Sequence, residues 1–224
     1  MAAYDLEEQE QLAQLKAWWN ENGNLVTIVL LVCSVAALGY QGWNWYQRKQ
    51  AGEAAVIYGA MERAMAAGDA QKVKQAAAEL VDNYARTPYA PLAALASAKK
   101  AVDGGDFKTA QLQLQWVAEH GKDELRDIGR MRLAAVLAEQ KEFDAALKQL
   151  EAAPGSGFVA RFAELKGDIL MLQDKKPEAR AAYQLAVSKQ EEAAKAEGKV
   201  DDHHEQEAPR TPLQQKLDAT GGGK

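Results

Sequence analysis

The stretch LKGDILMLQDKKPEARAAYQLAV, Leu165 to Val187, decides the fold. Apolar residues recur at helical spacing on both sides of a polar turn, Gln173-Asp174-Lys175-Lys176-Pro177, so the segment reads as helix, turn, helix. Small residues stand at Gly167, Ala179 and Ala186, with Tyr183 between the last two. In a helix-turn-helix unit such positions are where two backbones approach closely, because larger side chains would push the helices apart.

The pattern recurs upstream. Gly104-Gly105-Asp106-Phe107-Lys108-Thr109-Ala110 and Gln140-Lys141-Glu142-Phe143-Asp144-Ala145-Ala146 are polar turns entering new helices, and aligning Ala110, Ala146 and Ala179 gives spacings of 36 and 33 residues. A fainter copy, Gly68-Asp69 leading to Val73, lies 37 residues before Ala110. These spacings bracket the roughly 34 residues of a tetratricopeptide repeat. Twelve residues before each aligned alanine stand Ala98, Ala134 and Gly167, and seven after stand Val117, Ala153 and Ala186. The expected fold is all-α: a single transmembrane helix followed, over residues 48–189, by a tetratricopeptide-like α-solenoid of about four degenerate helix-turn-helix repeats. A nonrepetitive helical bundle is the competing reading, since alanine at helical spacing also describes ordinary core.

Stacking gives each unit a neighbour on which to bury its apolar face, and the stack twists into a concave trough suited to binding. By resemblance to tetratricopeptide arrays, the first helix of each unit lines that trough. This places toward it Tyr58, Glu62 and Met65, then Leu92, Leu95 and Lys99, then Ile128 and Met131, then Arg161, Glu164 and Met171. The mixture is apolar and adaptable, with methionines able to repack around varied partners. The Lys/Asn pattern by which some repeat domains clamp a terminal carboxylate is missing at these positions.

Ahead of the repeats, every residue from Asn22 to Gln47 is uncharged, while Glu21 and Arg48 bracket the stretch. A helix needs roughly 20 mostly apolar residues to cross a hydrocarbon layer about 30 Å thick, and Leu25 to Tyr46 supplies them. Trp18 and Trp19 sit at one edge and Tyr40, Trp43, Trp45 and Tyr46 at the other, where amphipathic rings prefer the headgroup level. A transmembrane helix is expected over 24–47. A cleavable signal, with Ser34-Val35-Ala36 as the cleavage site, is disfavoured because residues 1–24 carry Asp5, Glu7, Glu8, Glu10 and Glu21 against the single Lys16. A buried helix of a soluble domain would rarely be apolar on every face for this length. Residues 1–23 read as a cytoplasmic segment in which Leu6, Leu12, Leu15 and Trp19 lay one apolar stripe on a short amphipathic helix. Lys16 on one side against Arg48 and Lys49 on the other leaves orientation open by charge alone.

Catalytic constellations are absent from the pattern. Gly155-Ser156-Gly157-Phe158-Val159-Ala160 resembles a dinucleotide string but follows helical residues instead of a strand, so it reads as an inter-repeat loop. Gly221-Gly222-Gly223-Lys224 lacks the Ser/Thr and following helix of a phosphate loop, and His203-His204 lacks a third ligand at metal-site spacing. His120 stands alone near a helix end, and Cys33, inside the apolar run, reads as a small hydrophobe. No catalytic, cofactor or metal residue is expected, and the chain is expected not to be an enzyme. With a net charge of −5 it has no global positive field for a phosphate backbone, so nucleic acid is not an expected partner. Residues 190–224 hold eight acids and five bases with few apolar side chains, and are expected to fray from helix into a disordered tail.

Taken in order, the acidic N-terminal stretch, Trp18-Trp19-Asn20-Glu21-Asn22-Gly23, one span, the Gly42-Trp43-Asn44-Trp45 exit, an Ala-rich helix containing Tyr58 and the degenerate repeats resemble the YfgM-like ancillary SecYEG translocon subunits of Gram-negative bacteria. The resemblance covers roughly residues 5–187. It implies an inner-membrane protein with a cytoplasmic N-terminus and a periplasmic repeat domain. The implied partners are the SecYEG translocon, the PpiD-like membrane-anchored periplasmic chaperone, exported client polypeptides and the lipid bilayer. A cytoplasm-facing or envelope-assembly scaffold is the alternative that shares the fold.

Overall fold

The computed structural model describes residues 2–196 and 211–221, and among these it is built of helices without strands. The chain divides into two compact units, Met1–Gly52 and Glu53–Lys224. Helix α1 (Ala2–Ala66) supplies the first and lends its last turns to the second. In the second unit follow α2 (Ala70–Asn83), α3 (Tyr89–Asp103), α4 (Phe107–His120), α5 (Asp123–Glu139), α6 (Phe143–Gln149), a 3-10 turn at Ser156–Phe158, α7 (Val159–Leu172), α8 (Lys176–Ala196) and α9 (Pro212–Ala219). The all-α repeat architecture read from the sequence holds: α3 pairs with α4, α5 with α6 and α7 with α8, and the end of α1 shares a core with α2 through Met61, Ala64, Val73 and Leu80.

The four turns between paired helices share one backbone device. Gly68, Gly105, Lys141 and Asp174 all lie at positive φ, between 58° and 75°. Each donates its N–H three residues back, to Met65, Val102, Ala138 and Met171, while the next residue donates five back, to Ala64, Ala101, Leu137 and Leu170. That pair of bonds is the Schellman ending, which satisfies carbonyls a helix would otherwise leave open. In the first two turns the residue that follows also starts the next helix, since the Asp69 and Asp106 carboxylates accept from the backbone N–H of Lys72 and Thr109.

Small residues set the packing as expected. Ala110, Ala146 and Ala179 are fully buried, as are Ala98 and Ala134. A methyl group placed on Gly167 would come within 2.5 Å of the Tyr183 ring, so α7 and α8 meet closely only because that position has no side chain. The degenerate first copy follows the rule with larger residues, Met61, Val73 and Leu80, all buried. Inner helices are covered on two sides. Ala93 faces the core of the first repeats while its neighbour Ala94 faces the central core, and Phe162 and Ala163 divide the central and last cores in the same way.

Two expectations are corrected. Ala153 does not sit between helices, because α6 ends at Gln149 and Ala153 is exposed in the chain that precedes Pro154 and Gly155. The tail is not wholly without structure: Pro212–Ala219 forms α9, started by a capping box in which the Thr211 hydroxyl and the Gln214 side chain exchange bonds with each other's backbone. Leu213 is buried against α7 and α8, and Leu217 packs beside it. His203, His204 and Gly222 to Lys224 lie outside the described residues, as does the side chain of Leu6.

In the first unit the apolar run is exposed around the helix. Leu25, Leu31 and Leu38 are all more than 60% exposed, the last at 69%. Among the described residues, one helix is thus long and apolar enough to cross a membrane. Among its rings, Trp18 lies 6.4 Å from Trp19, Trp43 lies 6.3 Å from Tyr46, and the Lys49 ammonium stands 5.9 Å from the Trp45 ring centre. Tyr40 is exposed. Each ring belongs to one of the two edges read as interfacial belts.

Candidate functional site

The repeat register brings equivalent positions of the first helices onto one surface. Lys99 on α3 and Ala135 on α5, 36 residues apart, line the same cavity of about 340 Å³, together with Arg132, Asp103 and Glu139. Its floor is apolar, formed by Ala98, Val102, Leu114 and Val136. At the rim Lys99 and Asp103 pair at 3.1 Å. An apolar floor with charges of both signs at the rim suits an apolar side chain of a polypeptide, held at its edges by polar contacts.

The other groove residues distribute unevenly. Tyr58 is half-buried, its ring 5.5 Å from that of Tyr89, and burial followed by the Glu62 carboxylate raises its phenol above the ordinary range. Glu62 and Arg161 are exposed, and Leu92 is partly so. Met65, Ile128, Met131 and Met171 are half-buried and pack onto the cores. Leu95 is corrected: only 6% exposed, it belongs to the central core and does not line a trough. Its neighbour Ala94 is buried in the same core, so this turn of α3 is held between layers.

Glu164 has an unforeseen partner. The Lys216 ammonium of α9 reaches both the Glu164 Oε1 and the Asp168 Oδ2 at 2.8 Å, while the Tyr183 hydroxyl donates to the Asp168 Oδ1 at 2.8 Å. Burial alone would lower the pKa of Lys216, but its hydrogen bonds and charge attraction to Asp168 and Glu164 outweigh that and raise it. Burial, then the hydrogen bond to Asp168, pushes the Tyr183 phenol well above its ordinary value. The signal for α9 stands in the sequence as Thr211-Pro212 with Gln214 three residues after the threonine, a helix start hidden within a charged stretch.

A second unforeseen residue is Asp127 on α5, 1% exposed. Its Oδ2 accepts the Gly155 N–H at 2.8 Å, with the guanidinium groups of Arg126 and Arg130 at 3.9 and 3.8 Å from Oδ1. The start of the string Gly155 to Ala160 is therefore fastened to α5 by a buried carboxylate, and the rest of it runs through the 3-10 turn into the first residues of α7. Among the described residues no group of His, Cys, Asp and Glu is placed to hold a metal ion.

Comparison with known proteins agrees with this architecture. The family described as Tetratricopeptide repeat-like domain matches residues 16–221. Relatives named Ancillary SecYEG translocon subunit include one from Haemophilus influenzae, 32% identical over 185 residues, covering 82% of this chain and 90% of the relative. Another, from Aggregatibacter actinomycetemcomitans, is 34% identical over 190 residues with coverage of 82% and 90%. A third, from Escherichia coli, is 30% identical over 181 residues with coverage of 80% and 87%. No solved structure matches the chain significantly. A repeat-domain match over nearly the whole chain, joined to relatives aligned over four-fifths of it, means that the chain belongs to the ancillary SecYEG translocon subunits, a non-enzymatic adaptor family.

Proposed function

We propose that this chain is a single-pass inner-membrane subunit of the SecYEG translocon, with its N-terminus in the cytoplasm, residues 24–47 in the bilayer and its repeats in the periplasm. There the repeats dock a membrane-anchored periplasmic chaperone and newly translocated polypeptides through protein-protein contacts. The observation that carries this reading is a helix whose apolar side chains are exposed over its midsection, followed, among the described residues, by a helical repeat array. Exposed leucines around a full helix circumference have their stable environment in lipid, and repeat arrays are binding surfaces. The names of the relatives supply the translocon.

Tethering gives the arrangement its mechanism. A repeat surface held beside a channel sees an effective concentration of emerging chain set by the tether, so weak contacts of the kind offered by the α3–α5 cavity suffice without tight binding. A reporter enzyme active in only one compartment, fused after Lys224, tests the topology. Periplasmic activity is expected, and activity confined to the cytoplasm contradicts it. Photocrosslinking from a probe at Met131 tests the binding face: adducts with chaperone or exported chains are expected, and adducts with cytoplasmic proteins alone favour the scaffold alternative.

A further inference from the structure

Where α2 meets α3 and α4, the repeat pattern leaves a hole of about 220 Å³. Its apolar wall includes Ala70, Val73 and Ala101, and its polar lining includes Lys74, Ser97, Lys100, Asp106 and Thr109. The next repeat shows why the hole exists. By the spacings of 37 residues from Val73 to Ala110 and 36 from Ala98 to Ala134, Ala70 and Ser97 correspond to Phe107 and Leu133, which pack into the central core. Gln111 and Gln140, the equivalents of Lys74 and Gly104, hydrogen-bond to each other at 3.0 Å. Lys100 and Thr109 correspond to Val136 and Ala145. The first seam therefore lacks two large apolar side chains and carries a cation and two hydroxyls in their vicinity.

Two of those polar groups have nothing to bind. Ser97 is 3% exposed, and its hydroxyl has no hydrogen-bond partner among the described residues. Lys100, one turn on along the same face of α3, is half-buried, and its ammonium makes neither ion pair nor hydrogen bond among them. The other groups are matched. The Lys74 ammonium reaches the Thr109 Oγ1 at 2.8 Å and the Asp106 Oδ2 at 3.5 Å, while the Asp106 Oδ1 accepts the Thr109 N–H at 3.0 Å. One cation and one hydroxyl donor are left over at the hole, and a half-buried polar group gains most from a partner that bonds it.

We propose that this hole is a binding site for a carboxylate on a short aliphatic stem, the side chain of a glutamate in a bound polypeptide. A carboxylate balances Lys100 with a single charge and accepts from both the ammonium and the Ser97 hydroxyl, and its methylenes lie along Ala70, Val73 and Ala101. A dianionic phosphate is the poorer match, because Asp106 in the same lining opposes the second charge. A polypeptide is the better source than a free acid: one ion pair does little to offset the freedom a small molecule loses on binding, whereas a polypeptide adds contacts around the opening. The hole shares no lining residue with the α3–α5 cavity, so it gives the array a second contact point, selective for charge.

Lysine acetylation footprinting of the full chain in mild detergent, read by mass spectrometry, tests this. The probe peptide acetyl-Ala-Ala-Glu-Ala-Ala-amide is expected to slow acetylation of Lys100 at least threefold, in a saturable way, and to leave the exposed Lys99 and Lys108 unchanged. The same peptide with Gln in place of Glu should protect nothing, and glutarate should need a higher concentration for the same protection. Ser97→Leu combined with Ala70→Phe installs the side chains of the next repeat and should remove the protection without lowering the melting temperature. Ser97→Ala, which leaves the packing alone, should raise the half-protecting concentration at least twofold and decides the matter if the double variant fails to fold. Unchanged acetylation of Lys100, protection spread equally over all three lysines, or protection that Ser97→Ala leaves intact overturns the proposal. Glutarate protecting at the lower concentration overturns the polypeptide as the source. No translocon component enters the experiment, so its failure is separate from failure of the membrane-complex reading.

Discussion

At the residue scale, close approach is controlled by single positions. Gly167→Val puts a branched side chain where even a methyl group would meet the Tyr183 ring at 2.5 Å, and overpacking of this kind costs about 1–3 kcal/mol. A chemical-denaturation curve of the variant should show that loss, with the slope unchanged. The four Schellman turns predict opposite signs at equivalent places. Lys141→Gly relieves a left-handed backbone at φ 63° and should stabilise by ~1 kcal/mol, whereas Gly105→Ala, at φ 75°, should destabilise by a similar amount. Asp127→Ala removes a charged acceptor from the Gly155 N–H and should cost about 1.5–3 kcal/mol, read from the same curves. Gly167 was legible because its partner Tyr183 lies 16 residues on within a repeating register. Asp127 was not, because its partner Gly155 lies 28 residues away, beyond α6 and the irregular chain after it, and no periodicity links them.

At the element scale, the helix pairs were readable wherever a polar turn interrupts apolar spacing, which is why all four pairings follow from the sequence. Length was harder to read than existence. Helix α6 stops at Gln149 because Pro154 and Gly155 lie close beyond it, and the expected close approach at Ala153 is lost. Helix α9 was hidden by composition: a charged stretch predicts no core, yet within it Leu213 and Leu217 pack on the last core and Lys216 reaches a carboxylate of α7. That anchor has a pH signature. The Lys216 pKa is raised above 10.5, so its contribution is fully present below that value and is lost as pH rises through the elevated one. Asp69 and Asp106, lowered by hydrogen bonds at their caps, contribute above about pH 4 and lose that contribution as pH falls. Thermal melts of the full chain in mild detergent should therefore show a plateau at neutral pH with losses at both ends, and Lys216→Ala should reduce the alkaline arm, which the raised phenols of Tyr58 and Tyr183 also feed, while leaving the acidic arm in place.

At the scale of the whole molecule, one chain joins a helix long and apolar enough to cross a membrane to a helical repeat array. The apolar run was fully legible because hydrocarbon demands a long uncharged stretch and nothing else in the chain supplies one. Orientation was not, because the flanking cations differ by about one charge. Leu31→Arg places a cation at the middle of the run, where insertion costs about 2.5–3.5 kcal/mol, and should shift much of the protein into the carbonate-soluble fraction. The most direct measurement of the central claim is purification of the native full-length chain from membranes in mild detergent, followed by identification of what accompanies it. SecYEG subunits are expected to co-purify with the unaltered chain and to be depleted with Leu31→Arg. Recovery of the intact chain from the membrane with no translocon component would contradict the account.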